Sequence, residues 1–400
     1  MLFRSRVDEV NQTSQALAAI NSSFKLRPGD PALLDQRDQL IDKLSGLIGV
    51  RATAADDGTV SVVVNGTGIQ LVDGLRAATM AVAGDPVVGA ATVTVDGFTL
   101  AASGGEVGGL LTMRNSTTDG LPAVAQALDD LADGLITAVN RVHASGSGLA
   151  LAPSLTGSVS VSNPAALLNA AGLAVTPVAG TLGIGIVNAS GNLVSSGSVN
   201  VDPATMSLND LAAAIDALPD VAATVSGGRL VVSAENPANR LAFGSDSSDT
   251  LVALGVNGFF TGTDAHTIGV DARIAADPRL IAAAQADPTT GLVSPGDGRN
   301  AQALAALRTT AAFAGNTQTA SEFLGALGAA VGTAARAAGT QADTLDGIIQ
   351  AVQTQQQSVS GVNVDEELAD MIRYQHAYEA SAKFVSTIDQ MLETLIGMVS

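Results

Sequence analysis

With 400 residues, 19 Lys and Arg against 38 Asp and Glu, and a formal net charge of −19, the chain is too acidic to bind nucleic acid by phosphate neutralisation or to seek an anionic membrane surface. It has no Cys and no Trp, and aromatics are 3% of it, which excludes disulfides and thiolate chemistry and leaves a core of small side chains. The length predicts two or three domains, no apolar run is long enough to span a bilayer, and the opening MLFRSRVDEV lacks the apolar stretch of a secretory signal.

The first predicted element is a helix from Val7 to Phe24. Val7, Val10, Leu17 and Phe24 share a heptad seam that Ser14 and Asn21 interrupt. Arg27-Pro28-Gly29-Asp30 reads as a turn, after which Asp30 caps a second helix with Pro31 at its first position. Leu33, Leu34, Leu40, Ile41, Leu44, Leu47 and Ile48 form the apolar face of that helix, and Gly49 ends it. The two helices are expected to lie antiparallel. Beyond Gly49 the period shortens to two. Val50 to Ala54, the Asp57-Gly58 turn and Val60, Val62 and Val64 predict a hairpin, and Thr92 to Leu100 predicts a second one turning at Asp96-Gly97. The glycines from Gly104 to Gly109 are expected to close this β excursion as a structural turn. Leu121, Val124, Leu128, Leu131, Leu135 and Val142 then predict a third helix ending near Ser145.

From Leu149 to Gly262 the chain is rich in Ser, Gly, Val, Ala and Asn. Short alternating runs, Ser158 to Val161 and Arg229 to Ser233, predict strands, and Ser207 caps a predicted helix from Leu208 to Leu218. The chain is then expected to return to helix, with Ile281 to Ala284 and Ala301 to Leu307 flanking a loop from Asp287 to Gly298. Phe323, Leu327, Val331, Leu345, Ile348, Ile349 and Val352 mark a long helical stretch between Asn316 and Val359. Gly361 breaks it. Asn363 caps a last helix with Glu366 as its capping-box partner, while Asp365, Glu366 and Glu367 suit the positive end of the helix dipole. Leu368, Met371, Ile372, Tyr378, Val385, Ile388, Leu392, Leu395 and Val399 fall on one stripe. Such a helix is roughly 50 Å long at 1.5 Å per residue, too long to bury its stripe on a compact domain, so it needs another long helix. Arg373, Tyr374 and Tyr378 are the side-chain types that anchor interfaces. The expected fold is α+β and multidomain: a long antiparallel helical rod domain at 1–148 with a β excursion at about 50–118, an inserted β-rich outer domain at 149–262, a returning helical segment at 263–360 and an assembly helix at 361–400.

No catalytic, cofactor or metal motif stands out. His143, His266 and His376 lack metal-ligand spacing; the first and last are expected at helix surfaces and His266 in a loop. Asp129-Asp130 reads as a helix exterior, and Gly244 to Asp249 as a polar turn rather than a calcium loop. Facing carboxylates with aromatic sugar platforms, as in glycosidases, are missing, and there is no Walker loop, Gly-x-Ser-x-Gly elbow or dinucleotide fingerprint. The sequence therefore reads as non-enzymatic.

The segment ELADMIRYQHAYEASAKFVSTIDQMLETLIGM closely resembles the C-terminal signature of flagellar axial proteins, and most of all the FlgK family of hook-associated proteins. Ile372, Arg373, Tyr374, Gln375, Ala377, Tyr378, Ala380 and Ser381 carry its first half, which rod and hook relatives share. Ser386, Thr387, Asp389, Met391, Leu392, Thr394 and Leu395 carry its second. LLDQRDQLIDKLSGLIGV, DDGTVSVVVNGTGIQLVDG, GGEVGGLL and VNRVHASG resemble successive landmarks of that family's helical domain, and SLNDLAAAIDALPDVAATVSGGRLVVSAE resembles a β-α-β module of axial outer domains. The resemblance implies a structural subunit that joins hook to filament and self-assembles into a ring or tube. It further implies neighbours that are axial proteins (the hook protein and the second junction protein), an export chaperone, and an extracellular location reached through the flagellar type III apparatus without a signal peptide. The alternatives are an adhesin-like module, in which Leu149 to Gly262 binds glycan or host protein on a helical stalk, and another axial protein of the flagellin, hook or rod kind. The family begins with a helix carrying an Asn-rich NIAN-NTPGY motif that Met1 to Arg6 do not resemble. The resemblance thus leads to the expectation of a missing N-terminal partner and of an apolar stripe along 364–399 left exposed.

Overall fold

The computed structural model describes residues 2–84, 91–101, 104–285, 296–360 and 364–399; in the last two helices, side chains are described at 320–355, 357–358 and 367–392. The chain divides into two compact units, Met1–Ala329 and Ala330–Ser400. The fold is α+β, with ten helices and several small antiparallel sheets among the described residues.

Helices α1 (Leu2–Leu26) and α2 (Pro31–Leu47) form the expected hairpin. Asp30 accepts the Ala32 N–H at 3.0 Å ahead of Pro31, a cap worth about 1 kcal/mol. The whole α1 seam is buried, Ser14 and Asn21 included, but it packs on strands as well as on α2. Strands β1 (Val50–Ala54) and β2 (Val60–Val64) pair from Val50↔Val64 to Ala54↔Val60, as the Asp57-Gly58 turn predicts. β3 (Gln70–Asp73) and β4 (Arg76–Ala77) extend that sheet in the order β1-β2-β3-β4. β5 (Met80–Ala83), β6 (Thr92–Val95) and β7 (Phe98–Leu100) make a second one, and Asp96 and Gly97 turn it with φ of 48° and 86°. Val7, Val10, Leu17, Leu44, Val62, Leu71, Val93 and Val107 share one core.

The glycine run is not a closing turn. Gly105–Asn115 is helix α3. Gly104 and Gly105 hold φ of 83° and 64°, and Gly105 presses on the backbone of Ile48, where an added Cβ would lie 2.5 Å from the Ile48 nitrogen. The glycines thus serve helix-to-backbone packing, a tertiary cause that local turn chemistry does not carry.

A repeated device ties helices to strands. A helical asparagine offers its carboxamide to the N–H and C=O of one residue in a strand or, at Ala91, just before one, imitating a neighbouring strand's peptide. Asn11 does so to Met80 (2.7 and 2.8 Å), Asn21 to Val60 (3.0 and 2.8 Å) and Asn115 to Ala91 (2.9 and 2.8 Å). Asn140, on α4 (Leu121–Ala144), does so to Phe260 (2.8 and 2.9 Å). On α4 the buried residues are Ala132, Ile136, Ala138, Asn140, His143 and Ala144, whereas Leu121, Leu128 and Leu135 stay exposed.

After β8 (Gly146–Ser147) the chain enters a β-rich core. β9 is Ser154–Thr156, whereas Ser158 to Val161, predicted as a strand, is loop. Its amides bond the turn carbonyls of Leu254, Gly255 and Gly228 instead of a ladder. β10 (Gly180–Val187) and β11 (Leu193–Val201) form a long pair, and α5 (Leu208–Asp216) follows, with Ser207 and Asp210 making the capping box. β12 (Val221–Ser226) and β13 (Arg229–Ala234) turn at Gly227-Gly228, and β14 (Arg240–Asp246) completes the sheet β11-β10-β14. Leu182, Ile186, Leu211, Ile215, Leu230 and Phe243 are among its core residues. In the Gly244 to Asp249 stretch, Asp246 accepts from Ser248 and from the Leu251 N–H of α6 (Thr250–Leu254), so its carboxylate is engaged as a cap.

The two crossings into and out of this core meet at one point. β15 (Phe260–Thr261) pairs with β16 (Gly269–Val270), α7 (Ala272–Ala276) follows, and β17 (Ala284–Gln285) pairs with β8. Ile281 to Ala284 is therefore not helical, because Ala284 pairs with Ser147 of β8 and the Ala282 N–H goes to His143, partners that sequence pattern does not reveal. His143 is likewise not at a solvated helix surface. It is fully buried, its Nδ1–H donating to the Asn257 carbonyl at 2.8 Å and its Nε2 accepting the Ala282 N–H at 3.0 Å. The backbone donor on Nε2 fixes the neutral Nδ1–H tautomer. His266 is exposed in its loop. Of the predicted loop from Asp287 to Gly298, residues 287–295 lie outside the described residues. α8 (Arg299–Ala306) follows.

Candidate assembly surface

Helix α9 (Ala320–Ser360) begins in the first unit and continues through the second. Thr319 and Glu322 cap it reciprocally: the Thr319 N–H reaches the Glu322 carboxylate at 2.8 Å and the Glu322 N–H reaches Thr319 Oγ1 at 3.2 Å. Helix α10 is Val364–Val399. The predicted cap at Asn363 and the break at Gly361 lie outside the described residues, and so does the Glu366 side chain.

Every described member of the predicted interface set is exposed. Leu368, Met371, Ile372, Tyr374, Val385, Ile388 and Leu392 lie between 41% at Ile388 and 76% at Tyr374, and Tyr378 reaches 78%. Leu395 belongs to α10, but its side chain is outside the described residues. Arg373 is paired within its helix to Asp370 at 3.1 Å. Met371, Tyr374, Tyr378, Ser381, Val385, Ile388 and Leu392 alternate steps of three and four, the seam of a left-handed coiled coil. Phe384 and Met391 are also exposed; Met391 is known from the signature but not from the apolar stripe, and Phe384 from neither. Each precedes a seam residue by one position and so widens the face to one side.

Helix α9 carries a second seam in the same steps: Leu324, Leu327, Val331, Ala334, Ala338, Gln341, Leu345, Ile348 and Val352. Leu324, Val331, Leu345, Ile348 and Val352 are exposed, as is Ile349 beside them. Runs of large apolar side chains this long on solvent are a strong sign of a surface that meets protein. Chemically the surface offers contact area and few charges.

Among the described residues no three His, Asp or Glu side chains converge as metal ligands, and no helix is long and apolar enough to cross a membrane. Asp129 and Asp130 engage the Ala265 N–H at 3.0 Å and the Gln126 side chain at 2.8 Å.

The family model described as the flagellar hook-associated protein FlgK helical domain matches residues 3–154, and the flagellar basal body rod FlgEFG protein C-terminal model matches residues 353–398. The flagellar hook-associated protein 1 of Escherichia coli is 25% identical over 421 residues, covering 98% of this chain and 70% of the relative. That of Salmonella typhimurium is 27% identical over 424 residues with the same coverage. The solved flagellar hook junction protein FlgK from Burkholderia pseudomallei aligns over 88% of this chain and 83% of that chain, with TM-score 0.48 and 18% identity. The chain is thus similar over 98% of its length to flagellar hook-associated protein 1, and its residues 3–154 match the FlgK helical-domain family.

Proposed function

We propose that the protein is a structural subunit of the bacterial flagellum at the junction of hook and filament, assembling through α9 and α10. The observation that carries this reading is the pair of exposed heptad seams, in a segment whose last part matches the rod-protein C-terminal family. Burial of a Leu, Ile or Val side chain contributes about 1.5–3 kcal/mol, so seams of this length leave a large driving force unspent in the single chain. Helix packing against other chains satisfies it, and the site's lack of reactive groups suits a mechanical role rather than a catalytic one.

In this reading residues 1–148, 149–262, 263–360 and 361–400 are the helical domain, the inserted outer domain, the returning segment and the assembly helix. The chain forms a ring or tube, its neighbours are the hook protein and the second junction protein, and a flagellar chaperone escorts it to the type III exporter. The adhesin-like alternative has no observation in its favour. The deciding experiment is deletion of 364–399 from the exported protein, followed by labelling of hook tips. The proposal expects no incorporation and no filament growth; normal incorporation would overturn it.

A further inference from the structure

The dipeptide Asn-Gly occurs twice in the chain, at Asn65-Gly66 and at Asn257-Gly258, each time after a Val. In this pairing an asparagine side chain meets least hindrance from the next residue, because glycine has no Cβ to keep the carboxamide carbon from its amide nitrogen. Asn65 and Gly66 are the middle residues of the turn between β2 and β3, closed by the Thr67 N–H donating to the Val64 carbonyl at 3.3 Å. Both are exposed, and φ is 74° at Gly66, the conformation that the third residue of a type II turn requires. The Asn65 N–H is tied to the Gly49 carbonyl at 3.0 Å. Among the described residues, neither the Asn65 carboxamide nor the Gly66 N–H has a hydrogen-bond partner.

The fold treats the second pair in the opposite way. Asn257 is half-buried, and its carboxamide donates to the carbonyls of Ala144 and Gly146 at 3.1 and 3.2 Å. Its own backbone carbonyl accepts the His143 Nδ1–H at 2.8 Å. Gly258 is buried, and a Cβ added to it would lie 3.1 Å from Asn140 Nδ2. Swinging the Asn257 side chain toward the Gly258 nitrogen would break both carboxamide bonds in a crowded, buried place.

We propose that Asn65 is a modification site, at which the chain converts itself without an enzyme to aspartate and isoaspartate. The Gly66 nitrogen, its proton lost to solvent, attacks Asn65 Cγ. The new N–Cγ bond closes a cyclic imide while the Cγ–Nδ2 bond breaks, and Nδ2 takes a proton from water and leaves as ammonia. The reacting atoms belong to adjacent residues, so the attack is intramolecular and needs only that the carboxamide be free to turn. One water then opens the ring. Attack at Cγ restores the main chain with aspartate at position 65. Attack at the Asn65 carbonyl carbon leaves the main chain running through Cβ and Cγ. Nothing is oxidised or reduced, and either product adds one negative charge to a chain at −19. The iso product also lengthens the main chain beside the bond from Asn65 to Gly49, where α2 gives way to β1.

The test ages the full-length protein in mildly alkaline heavy-oxygen water, then maps its peptides by mass spectrometry with fragmentation that separates aspartate from isoaspartate. The folded chain is expected to take up label at position 65 at least about tenfold faster than at 257. In urea the two sites should react at similar rates, because both then follow the same Val-Asn-Gly sequence. Equal rates in the folded chain, or no label at 65, overturn the proposal, and a tenfold ratio that persists in urea overturns the part given to the fold. Asn65→Gln gives an independent reading, since its longer side chain has to close a larger and slower-forming ring. Its acidic form should accumulate on anion exchange at least about tenfold more slowly than that of the natural chain. Accumulation at an undiminished rate would assign the charge change to another residue and overturn the site, while leaving the junction role intact.

Discussion

The backbone N–H of Ala282 donates to Nε2 of His143 at 3.0 Å, joining the end of α4 to the chain that returns from the β-rich core. Burial disfavours a charged ring and holds this His below its ordinary value of 6.5; the Asn257 carbonyl and Asp271 oppose the shift, and Arg273 adds to it. Below about pH 6.5 the unfolded chain therefore takes up a proton that the native chain refuses. The His143 contribution is fully present above that pH and is lost as pH falls toward the native value. Carboxylates held low by partners, such as Asp57 by Thr59 and Asp210 by Ser207, respond only below about pH 4. Urea midpoints measured from pH 7.5 to 5 should decline for the natural chain and stay nearly flat for His143→Gln. Parallel declines would place the proton uptake elsewhere.

Asn21 tests the asparagine device. It is fully buried, donates to Val60 O at 2.8 Å and Gly74 O at 2.6 Å, and accepts the Val60 N–H at 3.0 Å. Asn21→Leu fits the helix and the heptad seam but strands three backbone groups away from water. Each orphaned group costs about 1–3 kcal/mol, partly offset by apolar burial, so a net loss of roughly 2–4 kcal/mol is expected in denaturant unfolding. A gain in stability would show that the seam prefers an apolar residue.

Asn21 also marks what the sequence does and does not disclose. As a seam interruption it is legible; its partners, 39 and 53 residues away, are not. Signals contained in a few adjacent residues hold: the Asp30-Pro31 cap, the Asp57-Gly58 and Asp96-Gly97 turns and the Ser207 cap. Expectations fail where a distant strand or backbone decides the conformation, as at Gly104 to Gly109, Ser158 to Val161 and Ile281 to Ala284. His143 looked like a surface residue because its two partners come from elements 114 and 139 positions onward. The α10 stripe is legible because heptad spacing is local, and Phe384 and Met391 fall outside the stripe because they flank the seam, although Met391 is read as part of the signature.

Gly105→Ala should be among the most damaging small substitutions. Its φ of +64° disfavours an L side chain, and the new Cβ would meet the Ile48 nitrogen at 2.5 Å and the Ile48 Cα at 2.6 Å. Backbone strain alone costs about 1 kcal/mol, and displacing α3 from α2 adds to it. Gly109→Ala is the control, since its Cβ meets nothing within 4 Å and alanine favours helix. Thermal unfolding should rank Gly105→Ala well below the natural chain and Gly109→Ala at or above it. Equal values would remove the argument from close packing.

Val385→Asp separates folding from assembly. Val385 is 59% exposed at the middle of the α10 seam, so a carboxylate there stays solvated in the single chain and costs little beyond helix propensity, roughly 0.5 kcal/mol. In an assembled seam the same carboxylate is buried against apolar neighbours, where an unpaired charge costs several kcal/mol. The first unit, whose cores lie within Met1–Ala329, should unfold at an unchanged denaturant midpoint. Self-association followed by light scattering should fall steeply, and hydrogen exchange across 367–392 should lose any protection that rises with protein concentration. A lowered midpoint with intact association would mean that Val385 belongs to the fold of the single chain, and the seam would lose its standing as an assembly surface.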